Sequence, residues 1–168
     1  MKTNRPKIIV PREGMDTIVD LLSLSILILT FVYVGLNYSE LPEIIPSHFN
    51  AKGKVDGYSE KILIWLVPII AMVLFIGMFI INKYPHHHNY MVNITEDNAL
   101  KNYRFSTRII RFTNLFVMLT FAFIAYSMIQ AANGQSIAIG SWVLPIIIGF
   151  TIILPIVIFV NYKKINKS

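Results

Sequence analysis

Four long apolar runs, separated by polar segments of unequal length, dominate the pattern of the chain. They cover about residues 18–38, 62–81, 112–132 and 139–161. Each run is close to the length of about 20 residues that an α-helix needs to cross a hydrocarbon core about 30 Å thick. The pattern therefore predicts an all-α, polytopic membrane protein. In it, residues 1–168 form one membrane domain with four transmembrane helices.

The composition agrees with a membrane protein and excludes two other classes. Hydrophobic residues make up 55% of the chain and charged residues 14%, with a mean hydropathy of +0.59. A soluble domain has about 25% charged residues, and a disordered chain has low hydrophobicity and high charge. The chain contains no cysteine, which excludes disulfides and thiol chemistry.

The distribution of Lys and Arg predicts the orientation in the membrane. Twelve of the 15 basic residues lie in the N-terminal segment, in the loop 82–111 or in the C-terminal segment. The loop 39–61 carries the other three. Because basic residues are enriched on the cytoplasmic side, both termini and the loop 82–111 are predicted to be cytoplasmic, with the loop 39–61 outside. The net charge of +6 then indicates contact with a membrane surface rather than with nucleic acid.

The loop 82–111 contains a periodic set of basic residues. Thr95, followed by Glu96 and Asp97, is typical of a helix start, and the helix is predicted to run without a break into the third span. Spacings of three, four and three place four basic residues on one stripe of this helix, which we call the basic stripe. We expect it to face lipid, in contact with an anionic inner leaflet. General anchoring and docking of one specific lipid or protein are both open. The basic stripe comprises Lys101, Arg104, Arg108 and Arg111.

The loop 39–61 holds the candidate binding residues. It has six apolar side chains, too many for a mobile loop, so we expect it to be ordered and to fold onto the helix ends. Its polar and aromatic side chains are candidates for binding a cation or a substrate. Asn50 and Asp56 equally suit turns, and His48 suits a short strand. No metal, cofactor or catalytic group is expected. The candidates are Glu43, His48, Phe49, Asn50, Asp56, Tyr58 and Glu60.

One string in this loop carries a resemblance to a known family. It reads Leu-Pro-x-x-Ile-Pro-x-His-Phe-Asn-x-x-Gly-x-x-Asp-Gly-Tyr-x-x-Lys and spans residues 41–61. It resembles the hallmark of the bacterial membrane family called domain of unknown function 1648, and the similarity continues to about residue 110. The same domain occurs in SdpI-type immunity proteins, which protect a producing cell from its own secreted toxic peptide. The resemblance implies a multi-pass protein of the bacterial cytoplasmic membrane.

Three functions are consistent with these observations. The first is a non-enzymatic sensor or immunity-type binder that meets a secreted peptide or an envelope protein through the loop 39–61. The second is a small transporter or export accessory. It is suggested by a Trp-x-x-Pro pattern at Trp65 that recurs at Trp142, as in a repeated hairpin. The third is a membrane enzyme or metal site that uses His48 and Asp56. We expect the first, and hence no enzymatic activity.

Overall fold

The fold is mainly α-helical, as predicted. The computed structural model describes residues 5–135 and 140–166, with the backbone alone at 140–143. Within these residues, four helices are long and apolar enough to cross a membrane. The corresponding α-helices are α1 (Gly14–Asn37), α2 (Leu66–Ile81), α3 (Glu96–Ala132) and α4 (Gly140–Ile165), and the second span also includes the 3₁₀ helix that precedes α2. Lys2, Lys167, the predicted start of the fourth span at residue 139 and the side chain of Trp142 lie outside the described residues.

Local chemistry explains where the helices begin. Thr95 caps α3 and shares a reciprocal capping box with Asn98, so that α3 starts where the sequence predicted and continues into the third apolar run. The helix α2 starts later than its apolar run, because a 3₁₀ helix (Lys61–Trp65) precedes it. Pro68 lies in the first turn of α2. Its missing N–H breaks no hydrogen bond there, so it does not kink the helix as a mid-helix proline would.

The central element of the bundle is α3. It contacts α1, α2 and α4, while α1 and α2 also contact each other. The helix α4 lies against α3 through the stacked rings of Phe116 and Phe150, whose centroids are 3.7 Å apart. Near the C-terminal end of α4, Asn102 and Asn166 exchange two amide hydrogen bonds of 3.0 Å. Most apolar side chains of α4 are exposed, as expected of a helix surrounded by lipid.

A two-stranded antiparallel hairpin closes one end of the bundle. Its strands are β1 (Ile44–Phe49) and β2 (Val55–Glu60). We call this end the hairpin end. The opposite end holds the N-terminal segment, the connection between α2 and α3 and the last turn of α4. We call it the tail end.

At the tail end, the N-terminal segment is tied across the connection between α2 and α3. Arg5 donates hydrogen bonds to the carbonyl oxygens of His86 and His88. The hydroxyl of Tyr103 donates to the carbonyl oxygen of Pro6 over 3.0 Å. These bonds join residues more than 80 positions apart. The N-terminal segment is therefore part of the packed structure at the tail end.

The connection itself is held by a polar network around His88. Its Nε2 lies 3.1 Å from the carbonyl oxygen of Ile81, an acceptor only, so this nitrogen carries the proton. Its Nδ1 lies 3.0 Å from the Ser106 hydroxyl oxygen. Burial lowers the pKa of His88 and raises the pKa of Tyr90, whose hydroxyl is 2.7 Å from Ser106, to about 12. Both side chains are therefore held in their neutral forms.

A buried carboxylate joins α1 to α3 at the same end. The side chain of Asp16 is 3% exposed. Its Oδ1 lies 3.2 Å from Nε of Arg108 and 3.8 Å from Nη1 of Arg111, and its Oδ2 accepts the N–H of Glu13 over 2.9 Å. A buried charge is stable only when it is paired. These contacts therefore fix the rotation of α1 against α3.

Three of the four residues of the basic stripe are paired within the bundle, while the expected contact of the stripe with lipid stays a prediction. Arg104, Arg108 and Arg111 contact carboxylates of the α1 end, and Arg111 is 10% exposed. The reason is that α1 carries acids with the same helical spacing as the stripe. Lys101 alone among the four is exposed. The acids are Glu13, Asp16 and Asp20.

Replacing Asp16 by Ala should destabilise the protein by about 1–3 kcal/mol, because the partly buried guanidinium groups of Arg108 and Arg111 would lose a charged acceptor. Thermal unfolding in detergent measures the effect. Asp97→Ala is the matched control, since Asp97 is exposed in the first turn of α3 and should change stability by no more than about 0.5 kcal/mol. Equal effects of the two variants would contradict the assigned role of Asp16.

Candidate functional site

The hairpin is built around a turn that Asn50 closes. Its side-chain oxygen accepts the N–H groups of Lys52 (2.9 Å) and Lys54 (3.1 Å). Gly53 has a φ of 73°, a conformation that glycine adopts without strain. Asn50 is therefore a turn former in this structure, as one of the two interpretations of the sequence proposed.

The register of the strands corrects one local expectation. Asp56 suited a turn on the sequence alone, but it lies within β2, as does Gly57. Gly57 pairs with His48, and the register shifts on either side of His48. The space at Gly57 is small, because an added Cβ would lie 2.8 Å from the Cβ of His48. Glycine therefore allows the two strands to approach closely at this point.

One side of the hairpin packs against the bundle. Ile45 is fully buried and Leu41 is 4% exposed. Both belong to one apolar cluster, against which Phe49 packs in part. The loop therefore folds onto the helix ends, as its apolar content predicted. The other buried members of the cluster are Val34, Ile64, Ala125, Met128 and Ile129.

The opposite side of the hairpin is exposed, and most of the predicted binding residues lie there. Tyr58 is 67% exposed and Ile44 is 56% exposed. Ile44 pairs directly with Glu60, and Tyr58 is two residues from Glu60, so the three side chains share one face. His48 and Asp56 lie beside them, with Nδ1 of His48 within hydrogen-bond distance of Oδ1 of Asp56. We call this set the exposed hairpin face: Ile44, His48, Asp56, Tyr58 and Glu60.

An ion pair between Lys61 and Glu43 lies at the base of the hairpin. The Nζ of Lys61 lies 2.9 Å from Oε1 of Glu43 and 5.5 Å from the centre of the Tyr38 ring. It also lies 3.5 Å from the carbonyl oxygen of Leu41, to which it donates. Glu43 therefore belongs to a structural ion pair beside the exposed hairpin face.

Three of the predicted binding residues, Glu43, Phe49 and Asn50, are not on this face, and one residue of the face was missed. Phe49 packs toward the apolar cluster, and Asn50 holds the turn. Ile44 was absent from the candidates because an isolated apolar residue carries no chemical signal. Exposed and less exposed side chains alternate along β2, and Ile44 pairs with exposed Glu60. This pairing is the signal that would have placed Ile44 on the face.

The exposed hairpin face combines an aromatic ring, an aliphatic side chain and carboxylates. Among the described residues, no group of three or more His, Asp or Glu side chains could hold a metal ion. Such a face suits a ligand with apolar groups and positive charge, since carboxylates complement cations and tyrosine provides apolar contact with a polar tip.

Comparison with known proteins finds a family that the hairpin region resembles. Residues 25–72 match the family described as domain of unknown function (DUF1648). This segment of the chain is similar to the DUF1648 family. It runs from within α1 through the hairpin into α2, so it contains the whole exposed hairpin face. The tail end lies outside the matched residues.

A further comparison finds an uncharacterized protein of the archaeon Archaeoglobus fulgidus. It is 32% identical over 76 residues, which cover 40% of this chain and 42% of that protein. The aligned part thus spans less than half of the relative. No solved structure matches the chain.

Gly57→Val should destabilise the hairpin by about 1–3 kcal/mol, because its side chain would collide with His48 and force the strands apart. Hydrogen exchange of the β1 and β2 amides should become faster. Gly77→Val in α2 is the control, since a Cβ there meets no atom within 4 Å. Unchanged hairpin exchange in Gly57→Val would show that the close approach is unimportant.

Proposed function

We propose that the protein is a non-enzymatic, membrane-embedded binder that presents the exposed hairpin face to a secreted peptide or an envelope protein. The observation that carries the proposal is the two-sided character of the hairpin. Ile45 on one side is fully buried in the bundle, while Tyr58 on the other is 67% exposed. A surface held in place by its own core loses little conformational entropy when it binds.

The chemistry of the face supports a cationic, partly apolar ligand. Tyr58 and Ile44 offer apolar area, and exposed apolar residues that share one face favour contact with a partner. The Glu60 carboxylate lies beside them without a described ion pair, whereas the Asp56 carboxylate is hydrogen-bonded to His48. A peptide with basic and apolar side chains complements this arrangement.

The proposal includes an orientation. The hairpin end carries three basic residues, while the segments of the tail end carry twelve, which supports an extracytoplasmic hairpin and cytoplasmic termini. The family resemblance supports the bacterial cytoplasmic membrane. An immunity-type role, in which the face sequesters a toxic peptide, is the form of the proposal that this resemblance favours.

Site-specific photo-crosslinking tests the proposal. A photoreactive phenylalanine analogue is placed at Tyr58 in the intact membrane, and at lipid-facing Ile69 of α2 as the control. We expect a peptide or protein adduct at Tyr58 that is absent at Ile69. The segment of the partner that is crosslinked to Tyr58 should carry a net positive charge.

Matched charge variants make the test specific. Glu60→Gln should reduce the adduct about three- to fivefold, because a charge complementary to the ligand is lost. Glu40→Gln removes an exposed carboxylate near the hairpin but outside the face, and should leave the yield unchanged. Lipid adducts alone at Tyr58, or equal effects of both variants, would overturn the proposal.

A further inference from the structure

A cavity of about 560 Å³ lies at the tail end, on the side of the bundle remote from the hairpin. The N-terminal segment forms one wall with residues 8–12. The ends of α1, α2 and α3 form the others. The cavity therefore lies where the apolar helices meet the polar connections, which is the depth of lipid headgroups.

The charges that line the cavity favour an anion. Arg12, Lys83 and Arg111 contribute three positive charges and Asp20 contributes one negative charge, which leaves a net charge of +2. The carboxylate of Asp20 lies 2.5 Å from Arg12 and 3.2 Å from Arg111, so that it holds both guanidinium groups in place. Lys83 carries no described ion pair, and its Nζ lies 4.9 Å from the centre of the Phe79 ring.

One polar atom of the lining lacks a partner. The side-chain oxygen of Asn82 is buried and accepts no hydrogen bond from the described part of the chain. A buried acceptor without a donor costs about 1–3 kcal/mol. A ligand hydroxyl group would remove this cost if the Asn82 side chain, which lines the cavity, turned its oxygen toward the ligand.

The remaining lining is apolar and open to the surroundings of the bundle. Ile8 and Phe79 are each 37% exposed, and Ile9 is 92% exposed. Exposed aliphatic and aromatic side chains next to a cationic pocket suit a molecule that has an acyl chain as well as an anionic head. A free phosphate ion would leave this apolar surface uncovered.

We propose that this cavity binds one anionic phospholipid whose headgroup carries hydroxyl groups, as in phosphatidylglycerol. The phosphodiester lies against Arg12, Lys83 and Arg111, and a headgroup hydroxyl donates to Asn82. The acyl chains follow the apolar wall. The site is separate from the exposed hairpin face, and it does not depend on the function proposed for that face.

Native mass spectrometry of the delipidated full chain in detergent tests the site. Phosphatidylglycerol is compared with phosphatidylcholine of identical acyl chains, and inorganic phosphate is added as a competitor. We expect tighter binding of phosphatidylglycerol and no competition by phosphate at millimolar concentration. Displacement by phosphate would identify free phosphate as the ligand and overturn the lipid assignment.

Variants separate the cavity from general surface charge. Arg12→Gln with Lys83→Gln should weaken phosphatidylglycerol binding by roughly fivefold for each charge removed. The fold should survive, because Arg111 still pairs with Asp20 and Asp16. Lys101→Gln with Lys164→Gln is the control, since it removes two exposed charges of the tail end outside the cavity. Equal weakening by the two pairs would overturn the proposal.

A neutral variant tests the headgroup contact. Asn82→Ala removes a side chain for which no hydrogen bond is described, so the fold should be unaffected. It should weaken phosphatidylglycerol binding about fivefold, since one hydrogen bond is lost. Unchanged affinity in this variant would overturn the assigned contact with the headgroup hydroxyl.

Discussion

The structure depends on one apolar cluster that joins three helices to the hairpin. It is formed where Leu41 and Ile45 insert between Val34 of α1, Ile64 before α2 and Ile129 of α3. All five side chains are at most 4% exposed. The hairpin has only two strands, and an isolated hairpin is at best marginally stable in water. The shape of the hairpin, and therefore the exposed hairpin face, is maintained because the opposite side of the hairpin is buried against the helices.

The tail end is organised by charge instead. Inside a membrane, apolar packing alone gives little preference for one helix rotation over another, because lipid is as apolar as leucine. Pairing of Asp16 with Arg108 selects one rotation of α1 against α3. That rotation brings Val34 and Ile129 together at the other end. The two ends are thus joined through α1 and α3, and Arg111, which also contacts Asp16, contributes to the cationic cavity.

Much of this architecture could be predicted from local sequence. The apolar runs predicted the four helices, Thr95 predicted the start of α3, and the apolar content of residues 39–61 predicted a packed loop. The ionic contacts between α1 and α3 were not predicted, because they join residues more than 90 positions apart. Matching helical spacings of acids on α1 and arginines on α3 were the available signal. The inward position of Phe49 depends on the strand register, which the register shift around His48 obscures.

Cysteine accessibility tests the central claim most directly, namely that the hairpin is seated on the bundle outside the cell. The chain has no native cysteine, so single cysteines at Lys52, Ile45 and Lys164 report separately. In intact cells, an impermeant thiol reagent should label Lys52→Cys rapidly, Ile45→Cys far more slowly and Lys164→Cys only after the membrane is opened. Equal labelling rates at positions 52 and 45 would contradict the seated hairpin. Labelling at position 164 before that at 52 would contradict its location outside the cell.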